Sequence, residues 1–155
     1  GEDPVVGFKD PRTLLTLEGW FAAIPRLECV GAFRDPRAVA TSLARRSAMA
    51  AETAVGLWCH YNAILLRQAR QQNFALVDFD VPEAAYIDRV GEVAAQLGLG
   101  AQAVRDDPFF TGELRTAQQN PAAQPLPWRA RLLHWRLRQR ARRRPRSPRA
   151  PVSSI

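Results

Sequence analysis

The chain has 155 residues, enough for one domain, and its 46% apolar and 8% aromatic content is typical of a globular protein. Basic residues outnumber acidic ones by 22 to 15, but ten arginines lie between Arg129 and Arg149, where there is no acid. The rest of the chain has 12 basic and 15 acidic residues, a net charge of −3, so the overall basicity is no evidence that the folded body binds nucleic acid.

Short β-prone runs alternate with helical patterns along the first 100 residues. Strands are predicted over residues 5–8, 27–33 and 74–79, and helices over about 11–23, 36–49, 52–72 and 82–97. The order is therefore strand, helix, strand, two helices, strand, helix. Strands that alternate with helices imply right-handed crossovers and a parallel sheet, so the predicted class is α/β.

One four-residue pattern occurs twice, as Lys9-Asp10-Pro11-Arg12 and as Arg34-Asp35-Pro36-Arg37. Asp caps helices through its side chain and Pro is favoured at the first helical position, so each pattern predicts a helix start. Lys9 and Arg34 would then end two parallel strands, at the sheet edge where α/β proteins bind ligands and beside positive helix ends. Either these corners bind a multiply anionic ligand, or basic residues simply flank two ordinary caps.

The residues after Arg34 favour the first alternative. Ala38 and Ser42 follow at four and eight positions and fall on the same helix face if the helical path extends back to Arg34. The small Ala38 leaves room for an anion, Ser42 can donate a hydrogen bond to a phosphate oxygen, and the guanidinium can bind it bidentately.

The segment from Arg34 to Leu43, RDPRAVATSL, resembles the 3′-phosphate-binding motif of sulfotransferases that use adenosine 3′-phosphate 5′-phosphosulfate (PAPS). The motif Lys9-Asp10-Pro11-Arg12 with Trp20 is similar to a Lys-Asp-Pro segment of bacterial sulfotransferase-like proteins and of tyrosylprotein sulfotransferases. Further similarity to the bacterial group lies in Leu57-Trp58 with Tyr61, in Val77-Asp78-Phe79-Asp80 and in Leu97-Gly98-Leu99. The resemblance covers residues 5 to about 115.

The resemblance implies a P-loop-nucleotide-kinase-like parallel sheet flanked by helices, in a domain over residues 1–120 that is incomplete at its N-terminus. It implies that Arg34 and Ser42 bind the 3′-phosphate of PAPS and that Lys9 is the catalytic cation near the transferring sulfuryl group. The acceptor would be a hydroxyl of a carbohydrate or small metabolite, and no metal is expected.

Two parts of the family pattern are missing. No Gly-rich 5′-phosphosulfate loop precedes Lys9, and the Arg-Lys-Gly loop has only Arg115 as a weak counterpart. Lone histidines in helices are ordinarily packing or surface residues, so neither His60 nor His134 is assigned as the base. We expect an upstream segment to supply both the loop and the base, and this chain alone to be inactive.

Residues 121–155 are predicted to be a Pro- and Arg-rich basic tail, helical or disordered, with disorder beyond Arg144. Trp128, Leu132 and Trp135 lie at helical spacing with arginines opposite, a pattern that permits contact with an anionic membrane and makes nucleic acid unlikely. The alternative function is therefore a non-catalytic α/β scaffold that acts through this tail. A solvated tail without a partner remains the simplest interpretation.

The setting is predicted to be cytoplasmic. Cys29 and Cys59 lie in apolar segments without metal-ligand spacing, so we expect buried free thiols. No apolar run approaches the roughly 18 residues of a membrane-spanning helix, so none is expected. The acidic start at Gly1 lacks Met and leads directly into a β-prone run, which favours a fragment of a longer chain over a signal peptide.

Overall fold

The computed structural model describes residues 5–99 and 125–143, and over these ranges the protein is a mostly helical α/β structure. The elements in chain order are a 3₁₀ helix (Pro11–Thr16), α1 (Leu17–Ala23), β1 (Val30–Phe33), α2 (Pro36–Ser47), α3 (Ala51–Gln71), β2 (Ala75–Asp78), α4 (Glu83–Gln96) and α5 (Trp128–Ala141). None of the helices in these ranges has the length and apolar content that crossing a membrane requires.

The sheet formed by the described residues has two parallel strands. Val30 of β1 is paired with Ala75 of β2, and the register continues to Phe33 opposite Asp78. Beyond the strand, the Phe79 N–H donates to the Phe33 carbonyl at 3.0 Å. The parallel α/β class is confirmed in this reduced form.

The first predicted strand is wrong. Residues 5–10 have no regular secondary structure, and the side chains of Val5 and Val6 are 77% and 86% exposed. A strand forms only where another strand offers backbone hydrogen bonds. A four-residue apolar run does not show whether such a partner strand lies beside it in the fold. Lys9 therefore follows an irregular segment.

The two faces of the sheet are covered unequally. Phe33 and Leu76 point to one face, where they join a core with residues of α3 and α5. On the other face α4 covers Ala75 and Val77 of β2 through Val93. Val30 and Ala32 of β1 lie on that same face and are exposed, so the β1 side of the sheet is open.

Both Asp-Pro patterns start helices, as predicted. Asp10 accepts a hydrogen bond from the Arg12 N–H at 2.9 Å, and Asp35 accepts one from the Arg37 N–H at 2.7 Å. Pro occupies the beginning of the following helix in both cases. The first pattern opens a 3₁₀ helix that continues into α1, whereas the second opens the regular helix α2.

The expectation of a solvated basic tail is wrong for α5. This helix packs against α3 and β2, and its Ala130 and Leu137 are fully buried. The amphipathic pattern is present but a different face is inward: Trp128, Leu132 and Trp135 are 66%, 38% and 57% exposed. The boundary at residues 120 and 121, Arg115, and the segment beyond Arg144 lie outside the described residues.

A physical reason for the docking of α5 lies in its small and polar inner residues. Ala130 allows a close approach to the core, and Arg140 Nη2 donates to the carbonyls of Ala69 and Phe74, each at 3.1 Å. Burial lowers the pKa of Arg140. The guanidinium thus satisfies backbone carbonyls between the end of α3 and the start of β2. The hydrophobic pattern of the helix does not predict such an inward-facing Arg.

Candidate functional site

Arg34 lies at the corner where β1 ends and α2 begins, and the structure fixes both its backbone and its side chain. Its carbonyl accepts a hydrogen bond from Trp58 Nε1 at 3.0 Å, and Trp58 is only 4% exposed. The guanidinium carbon lies 4.6 Å from the centre of the Phe79 ring. Because α3 and the segment after β2 each hold one part of Arg34, the residue is preorganised.

The acidic neighbour of Arg34 is Asp80. Arg34 Nε lies 3.5 Å from Asp80 Oδ1, an ion-pair distance without hydrogen-bond geometry, and this Nε is buried and unbonded within the described ranges. Asp80 Oδ2 accepts a hydrogen bond from the Asp35 N–H. No hydrogen bond of the terminal guanidinium nitrogens is found among residues 5–99 and 125–143, so they can bind a ligand.

Ser42 lies on α2 two turns beyond Arg34. The first helical hydrogen bond, from the Val39 N–H to the Asp35 carbonyl at 3.1 Å, shows that the helical path begins one residue after Arg34. Ala38 and Ser42 lie one turn apart on α2, whereas Arg34 precedes the N-cap Asp35, whose φ of −55° and ψ of 132° are not helical. Ser42 Oγ accepts a hydrogen bond from Arg46 Nη2 at 2.9 Å, which leaves the hydroxyl proton available to a ligand and adds a second guanidinium.

The amides at the start of α2 are less available than the sequence suggested. The Arg37 N–H is bound by the carboxylate of Asp35 at 2.7 Å, and that carboxylate brings negative charge to the helix end. An anion would compete with Asp35 there. The guanidinium of Arg34 and the hydroxyl of Ser42 are therefore better candidates for phosphate contacts than these amides.

Lys9 is not placed beside this face by any strand. It is exposed and belongs to the irregular segment before the 3₁₀ helix. Its neighbours Asp10 and Arg12 form a two-point ion pair, with Nη2 to Oδ2 at 2.8 Å and Nε to Oδ1 at 3.1 Å. These Arg12 bonds lower the pKa of Asp10. Arg34 thus immediately precedes the N-cap of α2 and Ser42 lies on that helix, whereas Lys9 lies in an irregular segment and does not end a strand.

His134 of α5 lies at the same corner, which no pattern in the sequence predicted. Its Nδ1 lies 3.7 Å from Asp35 Oδ2, and its ring packs edge-on against Phe33 and Trp58. Burial lowers the pKa of His134, while the charge of Asp35 acts in the opposite direction. Its Nε2 is buried and has no hydrogen-bond partner among the described residues.

One turn along α5, Arg138 contacts the end of β2. Arg138 Nε lies 3.1 Å from Asp78 Oδ2, and Asp78 is 8% exposed. His134 and Arg138 are four residues apart, so they share a helix face and meet two acids at the carboxyl end of the sheet. The position of Asp78 and Asp80 near Arg34 was predictable, because parallel strands end at the same edge of a sheet. The position of His134 and Arg138 was not, because no local pattern shows which face of α5 is inward.

The remaining candidate groups lie apart from this corner. His60 is exposed on α3 and its ring contacts Tyr61. Cys29 and Cys59 are free and partly buried, and burial raises the pKa of both thiols. In the part of the chain that the structure describes, no group of three or more His, Cys, Asp or Glu is placed to hold a metal ion.

Comparisons of this chain with protein-family models, with curated proteins and with solved structures found no match.

Proposed function

We propose that this chain is a PAPS-dependent sulfotransferase, or part of one, with a P-loop-nucleotide-kinase-like fold, and that its corner at Arg34 binds the 3′-phosphate of PAPS. The observation that carries this proposal is the geometry of one segment. A strand is followed at once by an Arg that is held from both sides, and the capped helix that begins after it carries Ser42. The acceptor that we propose is a hydroxyl of a carbohydrate or small metabolite.

Binding would replace part of the contact between Arg34 and Asp80. The terminal guanidinium nitrogens of Arg34 bind two phosphate oxygens, and the Ser42 hydroxyl donates a hydrogen bond to a third. Arg46 adds positive charge. The ring of Phe79 beneath the guanidinium keeps its plane fixed during this exchange. The negative charge of Asp80 repels the incoming phosphate and so weakens nucleotide binding. Removing this charge by substitution tests the size of that effect.

In sulfuryl transfer, the bond between sulfur and the bridging phosphate oxygen breaks while a bond to the acceptor oxygen forms, and the acceptor proton leaves. Lys9 is the proposed cation for the leaving oxygen, since an ammonium is a compact charge on a flexible stem. Positioning supplies much of the acceleration in such transfers. Because the sequence has no loop to hold the 5′-phosphosulfate, we expect this chain to bind the nucleotide without turning it over.

Calorimetry with adenosine 3′,5′-bisphosphate and adenosine 5′-monophosphate tests whether the protein binds the 3′-phosphate. The bisphosphate should bind more tightly, and Arg34→Ala should weaken its binding by about tenfold or more, because a charge-assisted hydrogen bond contributes about 1.5–3 kcal/mol. The control is Arg67→Ala, which removes the same charge from an exposed position of α3. Asp80→Asn keeps an oxygen for the Asp35 N–H but removes the opposing charge, so it should tighten bisphosphate binding severalfold.

Equal affinities of the wild-type protein for the two nucleotides would refute the assignment of Arg34 and Ser42. Equal losses in Arg34→Ala and Arg67→Ala would show a general charge effect instead of a site.

We place this activity in a reducing cytoplasm, which the free thiols of Cys29 and Cys59 support. The alternative is a non-catalytic remnant or scaffold whose basic helix α5 binds an anionic membrane or nucleic acid, and the exposed side chains of Trp128, Leu132 and Trp135 favour it.

A further inference from the structure

The outward side of α5 carries an apolar strip between arginines. Trp128, Leu132 and Trp135 recur at helical spacing and are 66%, 38% and 57% exposed. By the same spacing, Arg131 lies on one side of the strip, and Arg129 and Arg136 lie on the other. These six residues are called the α5 outer face below.

The orientation of this face is fixed by the inner side of the helix. Ala130 and Leu137 are fully buried in the core that α5 shares with α3 and β2. Arg138 pairs with Asp78, and Arg140 donates to two backbone carbonyls. Turning the tryptophans inward would break these contacts, so their exposure is built into the packing of the helix.

The charge of the outer face is unbalanced. The helix has five arginines and no acidic residue, and two of those arginines are used by the inner contacts. In the described part of the chain, Arg131 and Arg136 form no ion pair, and the Arg129 guanidinium carbon lies 5.6 Å from the Trp128 ring centre. A partner of this face must therefore be anionic and must also accept apolar side chains.

We propose that the α5 outer face lies flat on an anionic lipid surface. Trp is favoured at the boundary between headgroups and acyl chains, and Leu132 between the two tryptophans adds aliphatic surface that belongs in that boundary. The arginines on both sides reach lipid phosphates and carboxylates. Nucleic acid would use the same charge and could stack on the tryptophans, but it offers no apolar environment to Leu132. This inference is independent of PAPS binding.

Co-sedimentation of the full chain with phosphatidylcholine vesicles, with and without phosphatidylserine, tests the charge requirement. We expect binding to the phosphatidylserine vesicles that falls as salt rises. The double variant Arg131→Gln/Arg136→Gln should lower the partition coefficient by about tenfold or more. The control Arg67→Gln/Arg70→Gln removes the same charge from exposed positions of α3 and should have a much smaller effect.

Quenching of Trp fluorescence by brominated lipids tests the apolar requirement. Trp128→Ala/Trp135→Ala should lose vesicle binding and most of the quenching, whereas Trp20→Ala, which removes a 37%-exposed ring from α1, should keep both. Far-ultraviolet circular dichroism checks that each variant is folded. Absence of vesicle binding, equal losses in the two arginine pairs, or tighter binding to a single-stranded oligonucleotide than to the vesicles at the same salt would each overturn the proposal.

Discussion

Two carboxylates, those of Asp35 and Asp80, hold the corner between β1 and α2, and each makes two contacts. Asp35 caps α2 through Oδ1 and faces His134 of α5 through Oδ2. Asp80 contacts the side chain of Arg34 and the backbone of Asp35. Asp35 therefore links α2 to α5, and Asp80 links the segment after β2 to the corner, so one substitution here affects local helix structure and long-range packing together.

His134 gives this corner a predictable dependence on pH. Burial lowers its pKa below the ordinary value of 6.5, so between these two values the unfolded chain binds more protons than the folded one. The free energy of unfolding should therefore rise with pH through this window, and it should fall as pH drops from above 6.5 toward the lowered pKa of the folded state. His134→Gln keeps a polar planar group and should lose less stability over that range than the wild type.

The chain has two histidines, so His60→Gln is the matched control for that measurement. His60 is exposed on α3 and contacts a tyrosine ring outside the corner. Urea unfolding at several pH values should give the wild-type pH dependence for His60→Gln. A His134→Gln variant with the same pH dependence as the wild type would show that burial of this ring carries no cost.

Among the elements, α5 departs most from its predicted role. Two stripes of its sequence satisfy helical periodicity: one contains Trp128, Leu132 and Trp135, and the other contains Ala130, Leu133 and Leu137. The larger, aromatic stripe carries more hydrophobic surface, yet the smaller stripe is inward because Ala130 lets the helix approach α3 closely. Local hydrophobicity therefore ranks the two faces in the wrong order.

A Leu→Ala substitution on each face of α5 compares how much the two faces contribute to the free energy of unfolding. Leu137→Ala removes a fully buried side chain and should lower the free energy of unfolding by about 2–5 kcal/mol, through lost transfer energy and a cavity. Leu132→Ala removes a side chain that is 38% exposed and should cost within about 1 kcal/mol. Equal costs in urea unfolding would mean that α5 is not docked in solution as the structure shows.

The sequence predicted the elements better than their contacts. Local chemistry sufficed for both Asp-Pro helix starts, for the strand that ends at Phe33, and for the end of α4 before Gly98, which has a φ of +73°. It failed for residues 5–8 and for His134, because a strand partner and an inward helix face are set by distant residues.

For the whole molecule, the unequal cover of the sheet is the dominant feature. Parallel strands are ordinarily buried on both faces, and all four residues of β2 are buried. β1 has β2 on one side only within the described ranges, and its Val30 is 46% exposed. Exposed apolar residues Val5, Val6 and Phe8 add to the open surface elsewhere. A strand with one unsatisfied edge and an uncovered face is a site for pairing with another chain.

We therefore expect the purified chain to self-associate as its concentration rises, through the open side of β1. Val30→Lys should shift the population toward monomer, since a charged side chain on an edge strand disfavours pairing and Val30 is too exposed to carry much of the core. Leu57→Lys is the matched control, because it introduces the same charge at an apolar residue that is 40% exposed on α3. Sedimentation velocity over a range of concentrations distinguishes the two variants. If the wild-type protein stays monomeric throughout, or if both lysine variants reduce association equally, the open side of β1 is not the surface through which chains associate.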